Sequence, residues 1–262
     1  PGWYFHFGRR ALHGAVPYRD FIFQVGPIPI WVDALFQRVF GESYHASLLA
    51  GFSVKTLRLA LTYLIARRVT RSRILAAAIV TFLSFERIWY SFINHWSVAY
   101  TQLSLLAATF FLILAHQNER RRSLYLPLAG GSLALMFGAR QSNAMLAAFV
   151  FFGATVALAL RGTSWFNRSS LARFWGGYGA GLLLLGGALG AQGALGPAIQ
   201  QMLLDAPQKK NVAGTEALFD MLSGGWATQA KYDTTLTFKT SFFRYQAAPL
   251  FASIVLLVAL SR

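Results

Sequence analysis

The segment Ala144–Leu160, AMLAAFVFFGATVALAL, decides the fold. It carries no charged residue, and a helix of this length approaches the roughly 30 Å hydrocarbon core of a bilayer. Working outward, comparable runs recur along the chain. They are Ala46–Ala66, Ile74–Tyr90, Ala99–Ala115, Leu124–Ala139, Phe174–Leu195 and Ala247–Leu260, which makes seven candidate spans. The second is the weakest, because Glu86 and Arg87 interrupt it. The fourth and fifth are separated only by Arg140-Gln141-Ser142-Asn143. The fold class expected is therefore all-α, a polytopic transmembrane helical bundle.

Composition agrees. Of 262 residues, 55% are hydrophobic and 13% charged, where soluble domains run at about 25% charged. Mean hydropathy is +0.45. Such a chain cannot clothe a water-facing surface, which excludes a soluble enzyme, a disordered protein and a coiled coil. There are no cysteines, hence no disulfide framework and no thiolate metal site. The chain opens at Pro1 without a signal-like segment and closes at Ser261-Arg262 directly behind an apolar run, so it is read as part of a longer protein.

The net charge of +15 would suggest nucleic acid in a soluble protein. Here the bases cluster between spans, and no nucleic-acid partner is expected. Arg67, Arg68, Arg71 and Arg73 follow the first span. Arg120, Arg121 and Arg122 follow the third, Arg161, Arg168 and Arg173 the fifth, and Arg262 the seventh. If spans alternate, all fall on one side together with a single acid, Glu119. The positive-inside rule makes that side cytoplasmic. The expected protein is thus integral and multi-pass, with polar chemistry at the outer face of the cytoplasmic membrane. The organisation expected is 1–45 as a first outer loop, 46–195 as membrane helices, 196–246 as a second outer loop and 247–262 as a final helix. Within the first loop, the stretch around Trp3–Leu12 and the stretch Ile28–Phe40 read as amphipathic helices lying in the interface. A kinked span over Phe21–Phe40 is the alternative.

The glycines of Phe174–Leu195 serve packing. Gly177/Gly181 and Gly186/Gly190 have the small-xxx-small spacing that lets helices approach closely. No strand precedes them, so they form no nucleotide loop.

Chemistry is sought in the outward segments. In Gly14-Ala15-Val16-Pro17-Tyr18-Arg19-Asp20-Phe21, Pro17 imposes an extended or turn conformation that holds Tyr18, Arg19 and Asp20 at the surface. Asp20 is suited to act as a base, a metal ligand or an acceptor for Arg19, and equally to cap or pair with Arg19. In Phe23-Gln24-Val25-Gly26-Pro27-Ile28-Pro29 a loop starts the second interfacial helix, with proline in its first turn.

The run Ala11–Glu42, ALHGAVPYRDFIFQVGPIPIWVDALFQRVFGE, resembles the first outer loop of polyprenyl-phosphate-sugar-dependent glycosyltransferases of the GT-C fold. The group it resembles is family 39, with protein O-mannosyltransferases and lipid A aminoarabinose transferases. GARQSNAM (138–145) resembles that family's corner between two spans, and LLDAPQKKNVAG (203–214) resembles an outer-loop stretch. The resemblance implies a polyprenyl-phosphate-linked sugar donor, a lipid bilayer setting, an acceptor of open identity and transfer with inversion. It implies an acid on the first outer loop acting on the acceptor hydroxyl. The family's key acid lies just behind an N-terminal span, and where relatives carry a second acid this chain has Gln24, which cannot serve as a base. Asp20 is the acid left inside the motif, and it is assigned as the catalytic-site acid without being the principal base.

Substrate-binding candidates accompany it: Tyr18, Arg19, Gln24, His95, Arg140, Gln141, Lys209 and Lys210. An anionic leaving group needs fixed cations. Arg140, between two spans on the outward side, is the best placed, with interface snorkelling as its alternative. Lys209, Lys210 and Arg87 are further cations. Lys55 and Arg58 sit one turn apart inside the first span, facing a polar cavity, lipid phosphate or Glu86. His95, in Asn94-His95-Trp96, is a substrate ligand or an interface residue. No zinc spacing is present, no cofactor is assigned, and a divalent metal stays open. The rival readings are a transporter or lipid flippase, which predicts internal repeats and broken spans, and a non-catalytic scaffold binding anionic lipid.

Overall fold

The computed structural model describes residues 2–23, 25–85, 97–162 and 165–204. Among them the regular structure is helical throughout. The helices are α1 (Gly2–Leu12), α2 (Ile28–Phe40), α3 (Tyr44–Thr70), α4 (Arg73–Phe85), α5 (Ser97–Gln117), α6 (Arg122–Ala139), α7 (Gln141–Leu160), α8 (Arg168–Ala191) and α9 (Leu195–Ile199). A π-helical turn, Gln200–Leu204, continues α9. The expected final span 247–262 and most of the expected outer loop 196–246 lie outside the described residues.

Local chemistry sets the helix ends. Ser43 caps α3, its hydroxyl accepting from the Ala46 N–H (3.3 Å), and Asn167 caps α8 by accepting from the Ser170 N–H (3.0 Å). Arg71 closes α3 in the left-handed region, its N–H donating to the Arg67 carbonyl. Pro27 and Pro29 open α2 as expected, since proline costs nothing where helical N–H groups have no partner. Gly41, at φ +89, ends α2.

The structure bears out a polytopic helical bundle, and the seventh expected span lies outside the described residues. Among the described residues four helices are long and apolar enough to cross a membrane: α3, α5, α7 and α8. The second expected span appears as α4, 13 residues among those described. The fourth appears as α6, whose Pro127, Gly130, Gly131 and Ser132 lower its apolar content. The physical reason lies in its position. α6 packs between α5 and α8, so much of its surface meets helices in place of lipid, while Leu124, Leu128 and Leu135 stay exposed. The outward apolar faces of the other helices are bare, with Leu183, Leu184, Phe149 and Leu160 each about three-quarters exposed, as befits side chains that face lipid.

The α6–α8 contact depends on glycine. A Cβ on Gly130 would collide with the Phe174 carbonyl, and one on Gly177 with the Pro127 backbone. Gly181 sits against Ala134. Half of the glycine expectation thus holds, because Gly177 and Gly181 lie in the interface. Gly190 faces open space and Gly186 only the edge of Leu195 of α9, so that second pair makes no close helix–helix approach among the described residues. Around this seam Leu105, Ala108, Leu112, Leu133, Phe151 and Phe174 form one buried core.

The bundle has two chemically distinct ends. Arg68 donates to the Gln117 side chain (2.9 Å), joining the C-terminal ends of α3 and α5. His116 at the same end packs edge-on against Trp165 of the α7–α8 link. The basic clusters Arg67–Arg68, Arg120–Arg122 and Arg168 therefore gather at one end. At the other end lie α1, α2, the loop between them, the α6–α7 corner and the turn Gln200–Leu204.

Candidate active site

The loop from His13 to Pro27 is built by its own backbone. The Tyr18 N–H donates to the Phe21 carbonyl (3.0 Å) and the Asp20 N–H to the Val16 carbonyl (2.9 Å), the turn expected after Pro17. Tyr18 takes φ +70, a left-handed conformation costly for a bulky residue. It is held there because its ring is buried and its hydroxyl donates to the Val25 carbonyl. Burial pushes the Tyr18 phenol well above its ordinary range.

Asp20 is tied on both oxygens. Arg19 Nε donates to Oδ1 and Arg19 Nη2 to Oδ2, each at 2.9 Å, while the Val16 N–H donates to Oδ2 (2.7 Å). The Arg19 hydrogen bonds, helped by the Val16 N–H, hold its carboxyl down at about 2. Arg19 Nη1 also donates to the Gln192 carbonyl (3.0 Å), and Arg10 donates to the Asp20 carbonyl (3.2 Å). Asp20 and Arg19 are half-exposed at the surface, paired with each other.

The loop is seated on the α6–α7 corner. The Gly26 N–H donates to the Ala139 carbonyl (3.1 Å), and any Cβ at Gly26 would strike the Gly138 carbonyl. Glycine is required here for close approach. Arg140 is the next residue, in an extended conformation between α6 and α7. Tyr4 of α1 lies within electrostatic reach of Arg140, and its hydroxyl accepts from the Ser97 N–H at the start of α5 (3.1 Å). Its ring meets Phe23 edge-on. Gln141, buried, donates to the Met202 carbonyl (3.3 Å).

The structure thus brings Tyr18, Arg19, Asp20, Arg140 and Gln141 to one end of the bundle. Gln24, His95, Arg87, Lys209 and Lys210 lie outside the described residues. Lys55 and Arg58 are on α3, with Lys55 Nζ and Arg58 Nε shielded from solvent. Among the described residues no three His, Cys, Asp or Glu side chains gather as metal ligands.

Two residues at this end were not singled out by sequence reasoning. Asp33 of α2 is fully buried. Gln37 donates to its Oδ2 and also to the Phe5 carbonyl (3.0 Å), and Gly8 of α1 abuts the carboxylate. The Asp33 charge reaches the Tyr100 hydroxyl on α5. Its signal was an acid inside an otherwise apolar stretch, which is costly unless satisfied. Gln201, the second, bonds the loop from the π-helical turn and carries no such signal.

The family model of dolichyl-phosphate-mannose-protein mannosyltransferases matches residues 24–185. That is well over half of the chain. The chain belongs to this family. This mannosyltransferase-family chain is therefore an integral membrane protein of the GT-C glycosyltransferase family, as the Ala11–Glu42 motif suggested. The matched span contains Asp33, Arg140 and Gln141, and Tyr18, Arg19 and Asp20 precede it. Neither a curated protein nor a solved structure matches the chain.

Proposed function

We propose that the protein transfers mannose from a polyprenyl-phosphate-linked donor to an acceptor at the outer membrane face. The observation carrying this reading is the Gly26–Ala139 hydrogen bond, which seats the first loop beside Arg140 within the family-matched span. In the reaction the bond from sugar C1 to the phosphate oxygen breaks and a bond from C1 to the acceptor oxygen forms, with inversion. The polyprenyl phosphate leaves with the electron pair of the broken bond and its added negative charge, and the acceptor hydroxyl's proton passes to water. Arg140 is assigned to the developing phosphate charge, since a fixed cation in a water-poor site acts where charge appears. Gln141 supports it from the adjoining position. A carboxylate held near pH 2 is a weak base, so Asp20 serves with Tyr18 and Arg19 to shape the acceptor side. Gln24, His95, Lys209 and Lys210 complete the proposed substrate-binding set. A lipid donor enters from the bilayer, which places the site at the interface.

Release of polyprenyl phosphate from labelled polyprenyl-phosphate mannose, in membranes supplying the acceptor, tests the reading. Arg140→Ala is expected to lower turnover by about 100-fold or more, the scale for loss of one donor at a developing anion. Asp20→Asn should lower it by only about tenfold, the scale of a lost positioning contact. Turnover unchanged in Arg140→Ala removes Arg140 from the site.

A further inference from the structure

Gln201 stands in the π-helical turn and holds the first loop at two points. Its Nε2 donates to the Tyr18 carbonyl (2.7 Å), and its Oε1 accepts from the Phe23 N–H (3.0 Å). These two bonds bracket Arg19, Asp20, Phe21 and Ile22. They also fall beside the loop's most strained residue, Tyr18 at φ +70. The neighbouring Met202 carbonyl accepts from Gln141, the residue after Arg140. One turn therefore grips both the loop and the corner. A π-helical turn widens the helix and re-aims its side chains, and such turns are frequent at functional sites. Only a side chain with one donor and one acceptor in an amide-like fork satisfies both loop groups.

We infer that Gln201 is a positioning residue that holds Tyr18–Phe23 in the geometry the transfer needs, setting the loop and the Arg140 corner from a single turn. This rests on the glycosyl-transfer reading above. Gln201 touches neither Arg140 nor Asp20 in its two loop bonds, so its effect is exerted through backbone placement.

The test uses the intact protein in nanodiscs, with hydrogen exchange at the Phe23 amide and turnover of polyprenyl-phosphate mannose read together. Gln201→Ala should speed exchange at Phe23 by about tenfold or more and lower kcat about tenfold, with the donor KM within about threefold. Gln201→Glu supplies a second signature. Protonated, the introduced carboxyl has the donor and acceptor of the amide; ionised, it only accepts and opposes the Tyr18 carbonyl. Its kcat relative to wild type should therefore rise as pH falls from about 8 to about 5.5, spanning the range of a carboxyl raised by burial. Within the clamped residues Tyr18–Phe23 no group titrates in that window, and His13, paired with Glu42 at the start of the loop, is common to both proteins and drops out of the comparison with wild type. Asp20 is held at about 2, Arg19 is raised by Asp20, and Tyr18 is raised by burial. Unchanged Phe23 exchange in Gln201→Ala overturns the clamp. Faster exchange with wild-type kcat, or a Gln201→Glu profile parallel to wild type, overturns the positioning role. If wild type itself turns over no donor, the transferase reading fails, and the exchange measurement alone decides the clamp.

Discussion

At Asp20 the carboxylate meets a guanidinium on both oxygens and a backbone N–H on one. The consequence is a pH dependence of the loop. The folded carboxyl sits at about 2, below its ordinary value of 3.8. A depressed folded value means that the unfolded loop binds the proton more readily. The contribution is therefore fully present above about pH 4, and is lost as pH falls from there through about 2. Hydrogen-exchange protection over 16–23, taken relative to the intrinsic rate at each pH, should fall across that window in wild type and show no such step in Asp20→Asn. A step that survives the substitution assigns the titration to another group. The Pro17 turn and the Arg19–Asp20 pair were legible in the sequence because both are local, made by residues one to four apart. Gln201 was not legible. Its partners are Tyr18 and Phe23, more than 170 positions away, and one of two adjacent glutamines among apolar residues has no periodicity to announce it. Asp33 was half legible, since its charge stood out while the Gly8 and Gln37 contacts that make its burial tolerable did not.

Among the elements, the membrane helices were readable because few structures other than a bilayer span use an uncharged apolar run of that length. α3, α5, α7 and α8 fall within a few residues of the expected spans. α6 coincides with the expected span Leu124–Ala139, but its low apolar content comes from the small residues it packs against α8. Its seam with α8 gives a prediction in which two effects oppose each other. Replacing a helical glycine by alanine gains about 1 kcal/mol of helix propensity. At Gly130 the added methyl meets the Phe174 carbonyl, backbone that cannot swing aside, and overpacking of this kind costs about 1–3 kcal/mol or more. The collision should win, so Gly130→Ala is expected to lower the melting temperature in detergent. Gly187→Ala, where no atom lies within 4 Å, should leave it unchanged or raise it. Equal shifts for both would mean that the seam is looser than its geometry.

For the whole molecule, the separation of the two ends has a consequence for sidedness. The basic clusters share one end with the Arg68–Gln117 bond, and the first loop shares the other with Arg140. Arginine in short loops resists translocation, so the basic end is expected on the cytoplasmic side and the candidate site outside. The absence of cysteine makes this directly measurable, because any introduced thiol is the sole target for a maleimide. His45 is exposed at the start of α3, beside the first loop, and Glu119 is exposed in the link between α5 and α6. His45→Cys should react with a membrane-impermeant maleimide in intact cells. Glu119→Cys should react only once the membrane is opened. The reverse pattern would turn the protein over and place the Arg140 corner on the cytoplasmic face. A donor presented outside could not then be used, and the mannose would have to come from a cytoplasmic lipid pool. Labelling of both thiols from one side would instead require an even number of crossings between His45 and Glu119. That outcome would remove one of α3, α4 and α5 from the bilayer, and α3 and α5, 27 and 21 residues long and apolar enough to cross, are harder to displace than α4.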